Sequence, residues 1–164
     1  AGRVSKTPPY SWDGNASTIE THLSATFQRL KGHGLRSFEL EALVAYVSGL
    51  PAPPARTIDP RDKVKVDRGQ KIFASSEAGC SSCHSGADFT DGMNHDVQSK
   101  HNADRAEKFN TPSLRMIGGT GPYFHDGRYA SLPELLRKSD GKMGHTKHLT
   151  NADLDALTSY LETL

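Results

Sequence analysis

Cys80-Ser81-Ser82-Cys83-His84 is the stretch on which the reading of this chain turns. It holds both cysteines of the 164-residue sequence, two residues apart, with a histidine directly after the second. That spacing is the attachment signature of a c-type haem. Each thiol can add to one vinyl group of the porphyrin, and the adjacent imidazole is placed to become an axial ligand of the iron. Two other uses of a cysteine pair fit less well. A structural zinc site wants four ligands, commonly as two Cys/His pairs, and no second cysteine pair exists here. A thioredoxin-like redox pair wants a strand before it and a βαβ pattern around it, whereas this chain reads as almost entirely helical.

Immediately before the motif, Lys63 to Ala74 carries Val66, Gly69, Gln70 and Phe73, which predicts a helix leading into it. Residues 85–108 are polar, rich in Asp, His and Lys, and weakly periodic. They read as a long loop, which in a compact domain is functional or wraps a ligand. Then come Thr111-Pro112-Ser113-Leu114-Arg115, a Gly-rich turn at 118–121, and Pro122-Tyr123-Phe124-His125-Asp126-Gly127. A helix near 131–138, a loop holding Met143, and a terminal helix from Asn151 with Leu154, Leu157, Tyr160 and Leu161 on one face close the chain.

On the other side of the motif, Pro51-Ala52-Pro53-Pro54 stops the preceding segment and reads as a stiff linker. Ahead of it, Ile19, Leu23, Phe27 and Leu30 recur at helical spacing, and Ser37 opens a second helix with Leu40, Leu43, Val44 and Val47 on its apolar side. Residues 1–8 are a polar, extended lead-in to Pro8-Pro9. The sequence thus divides into 1–50, a Pro-rich linker at 51–60, and 61–164.

Hydrophobic residues make up 35 % and aromatics 7 %, which is lean for a large core, so a covalently held haem would supply much of the apolar surface. A net charge of +1 gives no global argument for nucleic acid or an anionic membrane as partner. No run approaches the roughly 20 apolar residues of a membrane span, and Ala1-Gly2-Arg3-Val4 does not begin a hydrophobic leader. A soluble chain is expected, its oligomeric state open.

The sequence also repeats. Pro9-Tyr10-Ser11-Trp12-Asp13-Gly14 matches Pro122-Tyr123-Phe124-His125-Asp126-Gly127 at an offset of 113, placing Ile19 and Leu23 on Leu132 and Leu136, and Leu30 on Met143. With one residue inserted, Leu35, Leu40, Leu43 and Tyr46 fall on Leu149, Leu154, Leu157 and Tyr160. Residues 1–50 therefore read as the second half of a module whose first half is absent. This copy has no Cys-x-x-Cys-His, Leu30 in place of Met143, and Trp12 in place of His125, so it cannot hold a haem covalently.

Gly69-x-x-x-Phe73 before Cys80-x-x-Cys83-His84, then Thr111 to Arg115, then Pro122 to Gly127, resembles the C-terminal, electron-transferring haem domain of bacterial di-haem cytochrome c peroxidases and their MauG-like relatives. The match covers roughly residues 60–164. It implies an all-α, class I cytochrome c-like fold, here with an N-terminal helical hairpin appended, a single haem c held through Cys80 and Cys83, and a periplasmic location, since bacteria attach haem c outside the cytoplasmic membrane. With two modules in tandem in the family, it also accounts for the half-repeat. The departure is that one haem site is present, so peroxidase activity does not carry over directly.

For iron ligands, His84 supplies one side. Met143, in the Gly-flanked loop Gly141-Lys142-Met143-Gly144, is the first choice for the other, at the place where the resemblance also puts a methionine. Met93, Met116, His145 and His148 are the competing sixth ligands. The Thr111-Pro112 segment is expected to offer the carbonyl that orients His84. Arg115 suits a haem propionate through its planar fork, with an ordinary surface arginine as the alternative. Tyr123 is expected on the haem edge. His125 resembles a position lining the haem pocket, the alternative being a turn residue bonded to Asp126. His22, His33, His95 and His101 read as solvated surface residues. Three functions follow. The leading one is relay of single electrons to or from a redox partner or an upstream domain, without catalysis. The others are a peroxidase with an open or openable sixth position, and a haem-based sensor module.

Overall fold

In this computed structural model residues 7–30, 33–51 and 57–164 are described, so most of the Pro-rich linker and the start of the lead-in lie outside the described residues. Five α-helices form where apolar spacing and capping coincide: α1 (Ile19–Arg29), α2 (Ser37–Gly49), α3 (Lys63–Ala74), α4 (Leu132–Lys138) and α5 (Asn151–Leu161). The N-terminal ends show why they begin where they do. Thr18, Ser131 and Thr150 each accept a backbone N–H of the first turn on the side-chain oxygen, which satisfies donors the helix itself cannot. Helix α2 opens at Ser37 as its spacing predicts, and the cap position is Arg36. A guanidinium cannot accept, and the acid three residues on reaches back instead, the Glu39 carboxylate taking the Arg36 N–H at 2.9 Å.

The core is built on the crossing of α3 and α5. Val66, Gly69 and Phe73 of α3 are buried, as are Leu154, Ala156, Leu157, Tyr160 and Leu161 of α5. Gly69 decides how closely the helices approach, because a Cβ there would overlap the Ala156 carbonyl oxygen and crowd Tyr160. The Phe73 and Tyr160 rings sit 5.4 Å apart beside that contact, and Leu132, Leu135 and Leu136 of α4 complete the layer. Each buried leucine contributes roughly 1.5–3 kcal/mol relative to solvent exposure. This α3–α5 core precedes and follows the Cys-Ser-Ser-Cys-His segment in sequence and frames it in space.

Residues 85–108 contain little regular structure, as their weak periodicity predicts, but they are tied down. A two-stranded antiparallel ladder pairs β1 (Asn94–His95) with β2 (Phe109–Asn110). Three cations from elsewhere donate to carbonyls of the loop: Arg115 to Ala87, Arg128 to Ser99 at 2.5 Å and Lys142 to Gln98 at 2.5 Å. The N-terminal segment docks on the same ladder. The Asn110 N–H donates to Trp12 O at 2.8 Å, its side-chain amide to Pro9 O at 2.9 Å, and the Asn94 amide to Asp13 O at 2.7 Å.

The sequence repeat is matched by a backbone repeat. Tyr10 bridges Ala16 and Tyr123 bridges Tyr129, each pair exchanging two hydrogen bonds. Ser11 and Phe124 both adopt positive φ, at 74° and 69°, as do Gly14 and Gly127, and α1 and α4 both start 113 residues apart behind a hydroxyl cap. Left-handed conformations are uncommon for non-glycine residues, so their recurrence at Ser11 and Phe124 marks one turn used twice.

Candidate haem-binding site

Ala78 to His84 form the attachment loop. Cys80–Ser82 make a single 3₁₀ turn entered through left-handed Gly79, and the His84 N–H closes it on Cys80 O at 3.1 Å. The two thiols are half-buried and not joined to each other. Burial pushes the Cys80 thiol up. His84 is buried, at 8 % exposure, and its Nδ1 lies 3.1 Å from Phe89 O. Burial pushes the imidazole down, towards the neutral form that can bind a metal, while the Phe89 and Pro112 carbonyls act in the opposite direction by favouring its N–H. With Nδ1 so engaged, Nε2 is left for iron. Two unlinked thiols and one oriented imidazole are the donor set that covalent haem c requires, so the residues present fit the group.

The orienting carbonyl is thus shared. Phe89 makes the direct hydrogen bond, Pro112 adds to it, and the Thr111 carbonyl instead accepts the Thr90 hydroxyl at 2.6 Å. Sequence reasoning misses Phe89, although it is the one Phe, Tyr or Trp between 85 and 108. Its ring meets Phe73 edge-on at 6.0 Å, and the Arg115 guanidinium lies 5.2 Å from the ring centroid.

Met143 sits in a loop closed by Gly141 N–H donating to Gly144 O at 2.8 Å, and its side chain is partly buried against the core. The loop is fastened to the attachment segment. The His145 N–H donates to Ala78 O at 2.9 Å, and a Cβ on Gly144 would lie 3.4 Å from Cys80 Sγ and closer still to Ala78 O. Gly144, at φ 148°, is required there both by the backbone and by the space. Behind the loop, the Asp140 carboxylate accepts the N–H groups of Thr146 and Lys147 at 2.7 and 2.9 Å, which hold it well below the usual carboxylate range. The competing ligands are placed differently. His145 and His148 are exposed, the latter 3.7 Å from Glu77. Met93 is 61 % exposed, and Met116 leads a short 3₁₀ turn at Ile117–Gly119.

The remaining site candidates have protein partners. Arg115 donates from Nε and Nη2 to Ala87 O. Tyr123 is buried in the core and donates its hydroxyl to Ile117 O at 2.9 Å. His125 bonds through Nε2 to the Asp104 carboxylate at 2.7 Å and stacks on Phe109 with centroids 3.9 Å apart. Asp126 is taken by Arg128, so the alternative reading of His125 as a turn residue bonded to Asp126 gives way to a long-range pair with Asp104. Nothing in the sequence marks Asp104, one of several acids in a polar stretch. Three histidines that read as solvated are engaged: His22 with Ser11 at 2.9 Å, His95 with Asp91 at 2.7 Å, and His101, whose Nδ1 accepts the Ala103 N–H at 3.3 Å.

A single attachment loop on a helical core of this topology defines a haem protein of the c type. The cytochrome c family model matches residues 66–164, more than half of the chain, and the protein belongs to the cytochrome c family. It is similar to hydrazine synthase subunit gamma of Kuenenia stuttgartiensis, with 30 % identity over 76 % of this chain and 48 % of that one. It is also similar to the methylamine utilization protein MauG of Methylorubrum extorquens, with 38 % identity over 42 % of this chain and 23 % of that one. The chain thus spans about half the length of the first relative and less of the second. Among solved structures, hydrazine synthase of Kuenenia stuttgartiensis shares the fold at a TM-score of 0.83 and 23 % identity, over 96 % of this chain and 68 % of that chain. The shared fold therefore takes in the N-terminal helices as well as the haem domain. Among the described residues no helix is long and apolar enough to cross a membrane.

Proposed function

We propose that this chain is an electron-relaying c-type cytochrome domain, with one haem joined to Cys80 and Cys83 and its iron held between His84 and Met143. The haem supplies a one-electron couple, and a thioether ligand raises its potential. The observation that carries the reading is the buried His84, fixed through Nδ1 beside two free thiols, with the Met143 loop hydrogen-bonded to the same attachment segment. His84 is held in one orientation by carbonyls and Met143 on a closed loop, so both can keep their places when charge changes. The exposure of His145 and His148 favours Met143 over them. In this reading the chain corresponds to the electron-transfer domain of the di-haem peroxidase and MauG-like group, works in the periplasm, and exchanges electrons with a partner protein or another domain of a longer polypeptide. Residues 1–50 form a haemless half-module, and Arg115, whose guanidinium donates to Ala87 O, would suit a haem propionate.

Absorption and spin-state measurements on the haem-loaded protein in both oxidation states test this. The expected result is a six-coordinate, low-spin iron whose methionine-to-iron band disappears in Met143→Ala and survives in Met116→Leu and His145→Ala. A five-coordinate, high-spin ferric iron that turns over peroxide, or a band indifferent to Met143→Ala, overturns the assignment.

A further inference from the structure

The buried His84 imidazole is oriented from two separate strips of loop. Phe89 O lies 3.1 Å from Nδ1, and Pro112 O also favours the N–H. One residue along each strip stand the two partners of a single hydrogen bond: the Thr90 hydroxyl, next to Phe89, donates to Thr111 O, next to Pro112, at 2.6 Å. The same hydroxyl oxygen accepts the Gly92 N–H at 3.0 Å. Thr90 thus ties the strip that carries one orienting carbonyl to the strip that carries the other.

The backbone at Phe89 shows why a tie is needed. Its φ of 53° is a left-handed conformation that a bulky side chain adopts at a cost, and such a residue keeps its place only where the surroundings over-determine it. The Phe89–Thr90 peptide is engaged on both sides, its C=O on His84 and its N–H on Ser85 O at 3.0 Å. The Thr90 side chain anchors that peptide to Thr111, which is itself buried. Farther along, the loop has a lacing of its own: the Asp91 carboxylate accepts the Met93 N–H at 2.9 Å, and the Thr111 N–H donates to Met93 O at 2.9 Å. Removing the Thr90 hydroxyl therefore leaves the loop attached while loosening the peptide aimed at His84.

We infer that Thr90 is a positioning residue for the iron-ligating imidazole: its hydroxyl, clamped on Thr111 O, holds Phe89 O on His84 Nδ1. A firm hydrogen bond from Nδ1 makes an imidazole the stronger donor through Nε2, which favours the oxidised iron and sets the potential lower than a slack one does. The inference rests on His84 as axial ligand in the reading above, and on neither Met143 nor the use to which the electron is put.

The test follows, in the haem-loaded protein, solvent exchange of the His84 Nδ1 proton by NMR of the ferrous form, together with the reduction potential. Thr90→Val, which keeps the shape and loses the hydroxyl, and Thr90→Ala each speed exchange roughly tenfold and move the potential upward, whereas Thr90→Ser leaves both near the parent. Thr158→Val removes a buried hydroxyl from Leu154 O in α5; it lowers the denaturation midpoint and moves neither reading. Unchanged exchange or potential in the two hydroxyl-free variants, no rescue by serine, or an equal response to Thr158→Val overturns the inference. So does failure of both hydroxyl-free variants to load haem, since Thr90 would then be structural only. A parent without the methionine-to-iron band overturns the assignment of Met143 and leaves the exchange ratio to decide Thr90, so the two failures are told apart.

Discussion

Residues 9–49 and 122–161 pass through the same turn, the same two helices and the same left-handed residues, yet Leu157 is 0 % exposed while its counterpart Leu43 is only half-buried. Before residue 51, Ala16 and Ile19 are the buried positions among the described residues. Local sequence is therefore sufficient to reproduce the backbone of the hairpin and insufficient to bury it. What separates the two copies is α3 with its glycine, and the attachment loop behind it.

The difference can be broken in order of size. Leu157→Ala removes buried methyl groups from a closed site and should cost about 2–5 kcal/mol, against about 1 kcal/mol or less for Leu43→Ala, both read from denaturant midpoints of the haem-loaded protein; equal costs would mean that α2 is covered in solution. Gly69→Ala forces the α3–α5 crossing apart and should cost about 1–3 kcal/mol. Gly49, with open space where a methyl group would stand, should instead tolerate alanine or gain a few tenths of a kcal/mol in thermal melts. Thr150→Ala removes an accepted N–H at the start of α5 and should cost about 1 kcal/mol, while Arg36→Ala at the matching position of α2 costs less, because an exposed Arg36–Glu39 pair adds little.

The smallest effect is a pH dependence set by Asp140 of the C-terminal copy. The folded-state pKa of Asp140 lies below its ordinary value, first through the Lys147 N–H and then through that of Thr146. Its contribution is complete above the ordinary carboxylate value and is lost as pH falls through the depressed one. Acid titration of the melting temperature should therefore show a shallower decline in Asp140→Asn than in the parent. The corresponding position in the first copy is Phe27, which does not titrate.

The helices were legible because each couples apolar spacing to a cap or a stop: α3 and the start of α5 fall where Val66, Gly69, Phe73 and Asn151 predict them. The haem site was legible in part. Its thiols and imidazole are adjacent in sequence, but the groups that hold them in place carry no mark there. Phe89 O, the Ala78 contact to His145, and the Asp104 carboxylate on His125 are contributions of loop backbone or of one acid among many, and neither leaves a periodic trace. The partners of Arg115 and His22 were hidden for the same reason.

By itself the sequence determined that a c-type attachment motif stands in a helical chain, and that one hairpin is written twice, because thiol spacing, caps and left-handed turns act over a few residues. Only the tertiary structure decided which hairpin has a core. Burial depends on what lies across a helix, and α5 meets a glycine-notched partner while α2, with nearly the same face, leaves its own only half-buried.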